Sequence, residues 1–259
     1  MENLKFKGKF STKIVILTII ILVLLAEVIF LAFNKIEIKS PGFIKEIEKV
    51  HEFISFGNST MTGLYIPAVD AEGNGSYTIL SVEAMPGSGR VLVDIDSLLF
   101  WSDTQQSIRV ARNVAENITG KNLNKYDLVY SIYANASTVG GPSAGAAIAI
   151  ATISALENKK INKSVMITGT VNHDGSIGPV GNIIEKAKAA KELNAELFLV
   201  PLLQSRDVIY EITKNCEKFG LSEVCTVEQI PKKINIGDEV GIKIKEVETI
   251  QEAMKYMLN

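Results

Sequence analysis

The sequence predicts an α+β (mixed α/β) domain preceded by one N-terminal membrane-spanning helix. Three features carry that expectation. β-rich runs separated by Gly- and Pro-containing turns fill the stretch after Gly63. From residue 103 onward, helical periodicities alternate with further strand-like runs. A single long apolar run stands near the N-terminus.

That run is IVILTIIILVLLAEVIFLAF at 14–33, twenty positions with one charge, Glu27. As a helix rising about 1.5 Å per residue it is long enough for the bilayer's hydrocarbon core. Lys5, Lys7, Lys9 and Lys13 precede it against Glu2 alone, which favours an N-terminus inside and the remainder outside. A cleaved signal peptide is the alternative, but the run exceeds an h-region and no A-x-A-like site follows. The sequence therefore divides into a basic segment (1–13), an anchor (14–33), a linker (34–60) and a folded domain (61–259). The linker carries the breaker SPG at 40–42 and a short charged helix near 43–53. The expected localisation is a single-pass membrane protein with an extracytoplasmic domain.

Within the domain, GLYIPAV (63–69), SYTILSVEAM (76–85) and GRVLVDI (89–95) read as strands. A helix follows around 103–119, with Ile108, Ala111, Ala115 and Ile118 on one stripe, and then the strand DLVYSIYA (127–134). The segment SAGAAIAIATISAL (143–156) is short for a membrane span and fits a buried core helix. KSVMITG (163–169) is a strand, DGSIGPVG (174–181) a loop, 182–193 a helix and ELFLVP (196–201) a buried strand. Residues 205–219 read as another helix, and GIKIKEV and TIQEAMKYML supply a last strand and helix.

A formal charge of −2, with no basic run in the soluble part, excludes a nucleic-acid partner. Cys216 and Cys225, nine positions apart, are a candidate disulfide outside the cytosol and would stay reduced inside it. The two histidines, His51 and His173, make no ligand spacing with them, so neither a metal nor another cofactor is expected.

Two residues invite a chemical reading. Ser143 follows Gly140-Gly141-Pro142 at the start of the apolar helix. It is either an N-cap or a hydroxyl placed beside unpaired backbone N–H groups that could stabilise an oxyanion. Lys186 falls on the apolar face that Ile183, Ala187, Ala190 and Leu193 form on the 182–193 helix. A lysine there either snorkels outward or is desolvated. Desolvation lowers its pKa toward what a general base for a serine hydroxyl requires.

Ser143 in GPSAG and Lys186 in PVGNIIEK, 43 positions apart, resemble the two motifs of the Lon peptidase domain, a Ser–Lys dyad family. MITGTVNHDGSIGPVGNIIEK (166–186) is similar to that family's T-G-E, glycine turn and G-G-x-x-x-K sequence. VEAMPGSGRVLV (82–93), AELFLVP and KEVETIQEAMKYML resemble its flanking elements, so the likeness covers residues 60–259. The resemblance implies a Lon-type fold and Ser143 and Lys186 as the catalytic pair, with Thr168 in contact with the lysine. Backbone amides at Gly141, Ser143 and Ala144 would form the oxyanion site. Three positions depart from the pattern: Gly140 where many relatives are acidic, Asn182 for the second glycine, and Thr170 for the Glu of T-G-E. The stretch near 203–238, with both cysteines, is longer than usual and reads as an insertion.

The larger Lon proteases carry an ATPase, and no G-x-x-x-x-G-K-[ST] run occurs in this sequence. The expectation is an ATP-independent serine endopeptidase acting on polypeptides, with no separate ATPase implied and a homo-oligomer, a hexamer by resemblance. The alternatives are a phosphate- or nucleotide-binding module built on GSIGPVG, and a catalytically inactive membrane-tethered scaffold. The first lacks the glycine spacing, and Pro179 removes a donor.

Overall fold

The computed structural model describes residues 54–56, 59–95, 99–134, 138–219 and 222–259. All lie in the compact unit Ile47–Asn259. The basic segment, the 14–33 apolar run and the 43–53 helix fall outside the described residues. Among the described residues, no helix is long and apolar enough to cross a membrane.

The first layer is a five-stranded sheet in the order β1-β2-β3-β6-β4. It is built from β1 (Ile54–Phe56), β2 (Ser59–Val69), β3 (Gly75–Pro86), β4 (Val91–Val93) and β6 (Tyr126–Tyr133). Its pairings are antiparallel except β4 with β6. A buried carboxylate closes its end: Asp127 accepts from the backbone N–H groups of Ser88 and Arg90 and from the Arg90 guanidinium. These donors hold the Asp127 pKa well below the usual carboxylate range and fix the PGSG turn.

Against this sheet lies α2 (Gly145–Glu157), with α1 (Ser102–Thr119) packed on it. Every residue of α2 except Glu157 is buried. Its near-continuous Ala and Ile sequence is thus that of a core helix with apolar neighbours all round. Two of its polar side chains are paired: the Tyr130 hydroxyl meets Thr152 Oγ1 at 3.0 Å, and Ser154 Oγ donates to the Lys159 carbonyl at 2.6 Å.

A second layer is the parallel sheet β14-β11-β8, formed by β8 (Val165–Ile167), β11 (Leu197–Pro201) and β14 (Lys243–Val247). The crossover from β8 to β11 contains β9 (Thr170–Val171), β10 (Ile177–Gly178) and α3 (Ile183–Glu192). Ile183, Ala187 and Ala190 of α3 join Met166, Phe198 and Val200 in a smaller core of their own. The stretch expected as a loop at 174–181 holds β10, which pairs antiparallel with β9. Gly178 is one of the two residues of that ladder, with Gly175 and Gly181 on either side of it.

The helix expected at 205–219 is instead β12 (Arg206–Phe219), paired over its whole length with β13 (Ser222–Asn235). Val208, Tyr210 and Ile212 recur every second residue, a strand period that a run of exposed positions also tolerates. Cys216 and Cys225 are directly opposite each other in this ribbon and joined as a disulfide, with Cα atoms 4.0 Å apart. Glu223 lies close to both, but the sulfurs are committed to each other. The short α4 (Ile236–Val240) and the last helix α5 (Ile250–Met257) complete the chain.

Candidate active site

Ser143 lies in a 3₁₀ turn, Pro142–Ala144, that leads directly into α2. The turn's N-cap is Gly141 and the helix's is Ala144, and no side chain caps either. The serine hydroxyl is therefore not spent on capping, which removes the structural explanation that its position invites. Its carbonyl, by contrast, is fixed from two sides. Gly169 N–H donates to it at 3.0 Å and Thr168 Oγ1 at 3.4 Å, while Ala146 N–H donates to Gly169 O at 2.9 Å. Small residues permit this approach: a Cβ on Gly145 would lie 2.8 Å from the Val171 nitrogen.

Lys186 occupies the second turn of α3 and is only 6% exposed. It does not snorkel. Burial pushes its ammonium pKa down, and among the described residues no hydrogen bond or ion pair compensates. The helix is held close to the β2–β3 turn, where a Cβ on Gly75 would meet the Glu185 carbonyl oxygen.

Ser143 and Lys186 line one cleft of about 430 Å³. Its other walls include Ala68 and Val69 from β2, Thr170 from β9, and Pro179 to Asn182 before α3. Sequence reasoning overlooked the β2 residues, because only long-range packing brings that strand end here. It also overlooked Gln204, whose amide clamps the cleft wall by accepting from Val180 N–H at 2.9 Å and donating to Val180 O at 2.7 Å. A glutamine in an exposed connection gives no such signal.

Thr168 is fully buried, and the bond it donates goes to the Ser143 carbonyl rather than to the lysine. Of the amides at the turn, that of Gly141 donates to Asp103 Oδ2 at 2.9 Å. Ser143, second in the 3₁₀ turn, has no carbonyl behind it within the helix for its own N–H.

The departure at Asn182 has a backbone cause. It sits at φ 57°, ψ 44°, the left-handed region that asparagine tolerates better than other side-chain-bearing residues. Its carbonyl accepts from Lys186 N–H at 3.1 Å, so this kink sets the start of α3. Asn182→Gly should unfold in urea with stability within a few tenths of a kcal/mol of the parent. Asn182→Val should lose ~1–2 kcal/mol. Equal stability of the two variants would remove the strain argument. At Gly140 the contact is with a side chain: a Cβ there would lie 3.1 Å from Cδ2 of the Trp101 indole.

A hydroxyl that caps no helix, a desolvated amine and a helix start in one cleft are the parts of an acyl-transfer site. Residues 60–236 match the Lon protease (S16) C-terminal proteolytic domain. The chain belongs to that family. It is 27% identical over 194 residues to the archaeal Lon protease of Thermoplasma volcanium, covering 72% of this chain and 30% of that protein. The archaeal Lon protease of Thermoplasma acidophilum is 27% identical over 207 residues, 75% of this chain and 29% of that one. The Lon protease of Buchnera aphidicola is 27% identical over 228 residues, 86% of this chain and 26% of that protein. The chain thus spans less than a third of the length of these curated relatives. The Lon-domain match takes in both the Ser143 turn and α3.

Proposed function

We propose that this chain is a membrane-anchored serine endopeptidase that cleaves polypeptides without ATP, using Ser143 as nucleophile and Lys186 as general base. The observation that carries the reading is the sharing of one cleft by a serine hydroxyl that caps no helix and a buried lysine without a partner among the described residues. Neutral Lys186 accepts the Ser143 proton as Oγ bonds to the peptide carbonyl carbon. The oxyanion that forms takes the Ser143 N–H, and Gly141 joins it only by exchanging its bond to Asp103. Collapse breaks the C–N bond, the Lys186 proton passes to the leaving amine, and an ester remains on Ser143. Water, deprotonated by Lys186, then releases the acid and restores the hydroxyl. Thr168 serves as a positioning residue through the Ser143 carbonyl, and its hydroxyl lone pairs can receive the lysine ammonium.

The remaining parts of the proposal rest on sequence and chemistry. The apolar run at 14–33 is the anchor, and the Cys216–Cys225 disulfide supports an oxidising, extracytoplasmic location. No phosphate-loop motif occurs in the sequence, which supports action without nucleotide on flexible or already unfolded segments. Family likeness supports homo-oligomerisation.

The test is turnover of an unstructured fluorogenic peptide by the full chain in detergent, with and without Mg-ATP. Equal rates are expected. A strict ATP requirement would defeat the nucleotide-independent reading, and absence of cleavage across a diverse peptide library would defeat the peptidase.

A further inference from the structure

Trp101 is 60% exposed, although an indole is among the costliest surfaces to leave in water. It is nonetheless held in place. The two-residue pairing of β5 (Leu99–Phe100) with β7 (Thr138–Val139) is parallel, with Leu99 opposite Thr138 and Phe100 opposite Val139. One more step in that register sets Trp101 beside Gly140. The indole fills the space a side chain would take there: a Cβ on Gly140 would lie 3.1 Å from its Cδ2 and 3.2 Å from Cγ and Cε3. No left-handed backbone requires glycine at 140, and a side chain there would press the ring aside by a few tenths of an ångström. Behind the indole, Trp101 O accepts from Gln105 N–H at 3.1 Å, and Asp103 ties the start of α1 to Gly141.

Gly140 itself lines the cleft with Pro142 and Ser143. We infer that the Trp101 indole is a substrate platform at the rim of this cleft, selecting peptides with a large apolar or aromatic side chain next to the scissile bond. This rests on the peptidase reading of Ser143 and Lys186. A pinned, exposed aromatic loses little conformational freedom on binding and offers a broad apolar face. Ala68, Val69, Pro179 and Val180, which line the same cleft as Gly140, carry no charge to oppose such a side chain.

Two measurements test it. In the first, kcat/KM is compared for peptides differing only by Leu or Ser beside the cleaved bond. Trp101→Ala should reduce the preference for Leu about three- to tenfold, and Trp101→Phe should restore most of it. An unchanged preference in Trp101→Ala overturns the platform. In the second, the chain's one tryptophan reports directly. Adding the Leu peptide to the Ser143→Ala protein should shift the emission to shorter wavelength, and the Ser peptide should do so only at higher concentration. No shift with either peptide overturns the inference. A shift without cleavage by the parent chain would uphold the platform and defeat the peptidase reading instead.

Discussion

Ser143→Ala is expected to abolish peptide hydrolysis, with a loss of at least ~10³-fold in kcat, because members of a nucleophile–base unit fail together. The fold should not suffer. Ser143 caps neither its own turn nor α2, and the bonds that fix it run through its backbone carbonyl, which alanine keeps. Unfolding in urea should therefore superimpose on the parent within about 0.5 kcal/mol. Turnover retained by the purified variant would place the nucleophile elsewhere, and a large loss of stability would mean that the hydroxyl has a structural partner after all.

Lys186→Met is the second large effect, and it acts in opposite directions on rate and stability. Removing the base should cost ~10³-fold or more in kcat. Methionine fills similar space without a charge, so the desolvation that depresses the lysine pKa disappears. In the parent, the folded lysine titrates below its ordinary value of 10.5. Between those two pH values the unfolded chain holds more protons, so parent stability rises with pH across that window and is flat below it. The methionine variant lacks this rise. Its stability gain, on the order of 1 kcal/mol, should be full below the folded pKa and fade as pH approaches 10.5. The parent's kcat/KM should climb with pH through the lowered lysine pKa. A parent rate independent of pH in that range, or a destabilised methionine variant at pH 7, would sink the assignment.

What the sequence made legible were features with local causes. Lys186 stood out because it interrupts an apolar helical stripe, and the helix itself announced that stripe over ten residues. Ser143 stood out through the breaker residues before a run that could only be core. Long-range pairing set the rest. Val208, Tyr210 and Ile212 became strand because 222–235 returns alongside them, a partner that no window of fifteen residues contains. Trp101 gained its place from the register of 99–100 against 138–139, and Gln204 from a bond to a loop 24 positions earlier. Family likeness sets Thr168 against the lysine, and the bond its hydroxyl donates to the serine carbonyl leaves its lone pairs open to that contact.

The helix that follows Ser143 is buried in the larger hydrophobic core, and the helix that carries Lys186 is rooted in the smaller one. On the proposed mechanism, proton transfer between them would be a property of the seam, and neither half could guarantee it alone. Contacts that stitch the seam, such as Gly75 of β3 against the Glu185 carbonyl of α3, would govern how often donor and acceptor meet without touching either. A modest loosening there would leave both halves folded and the proposed pair out of alignment, so on that mechanism activity would be lost before the fold.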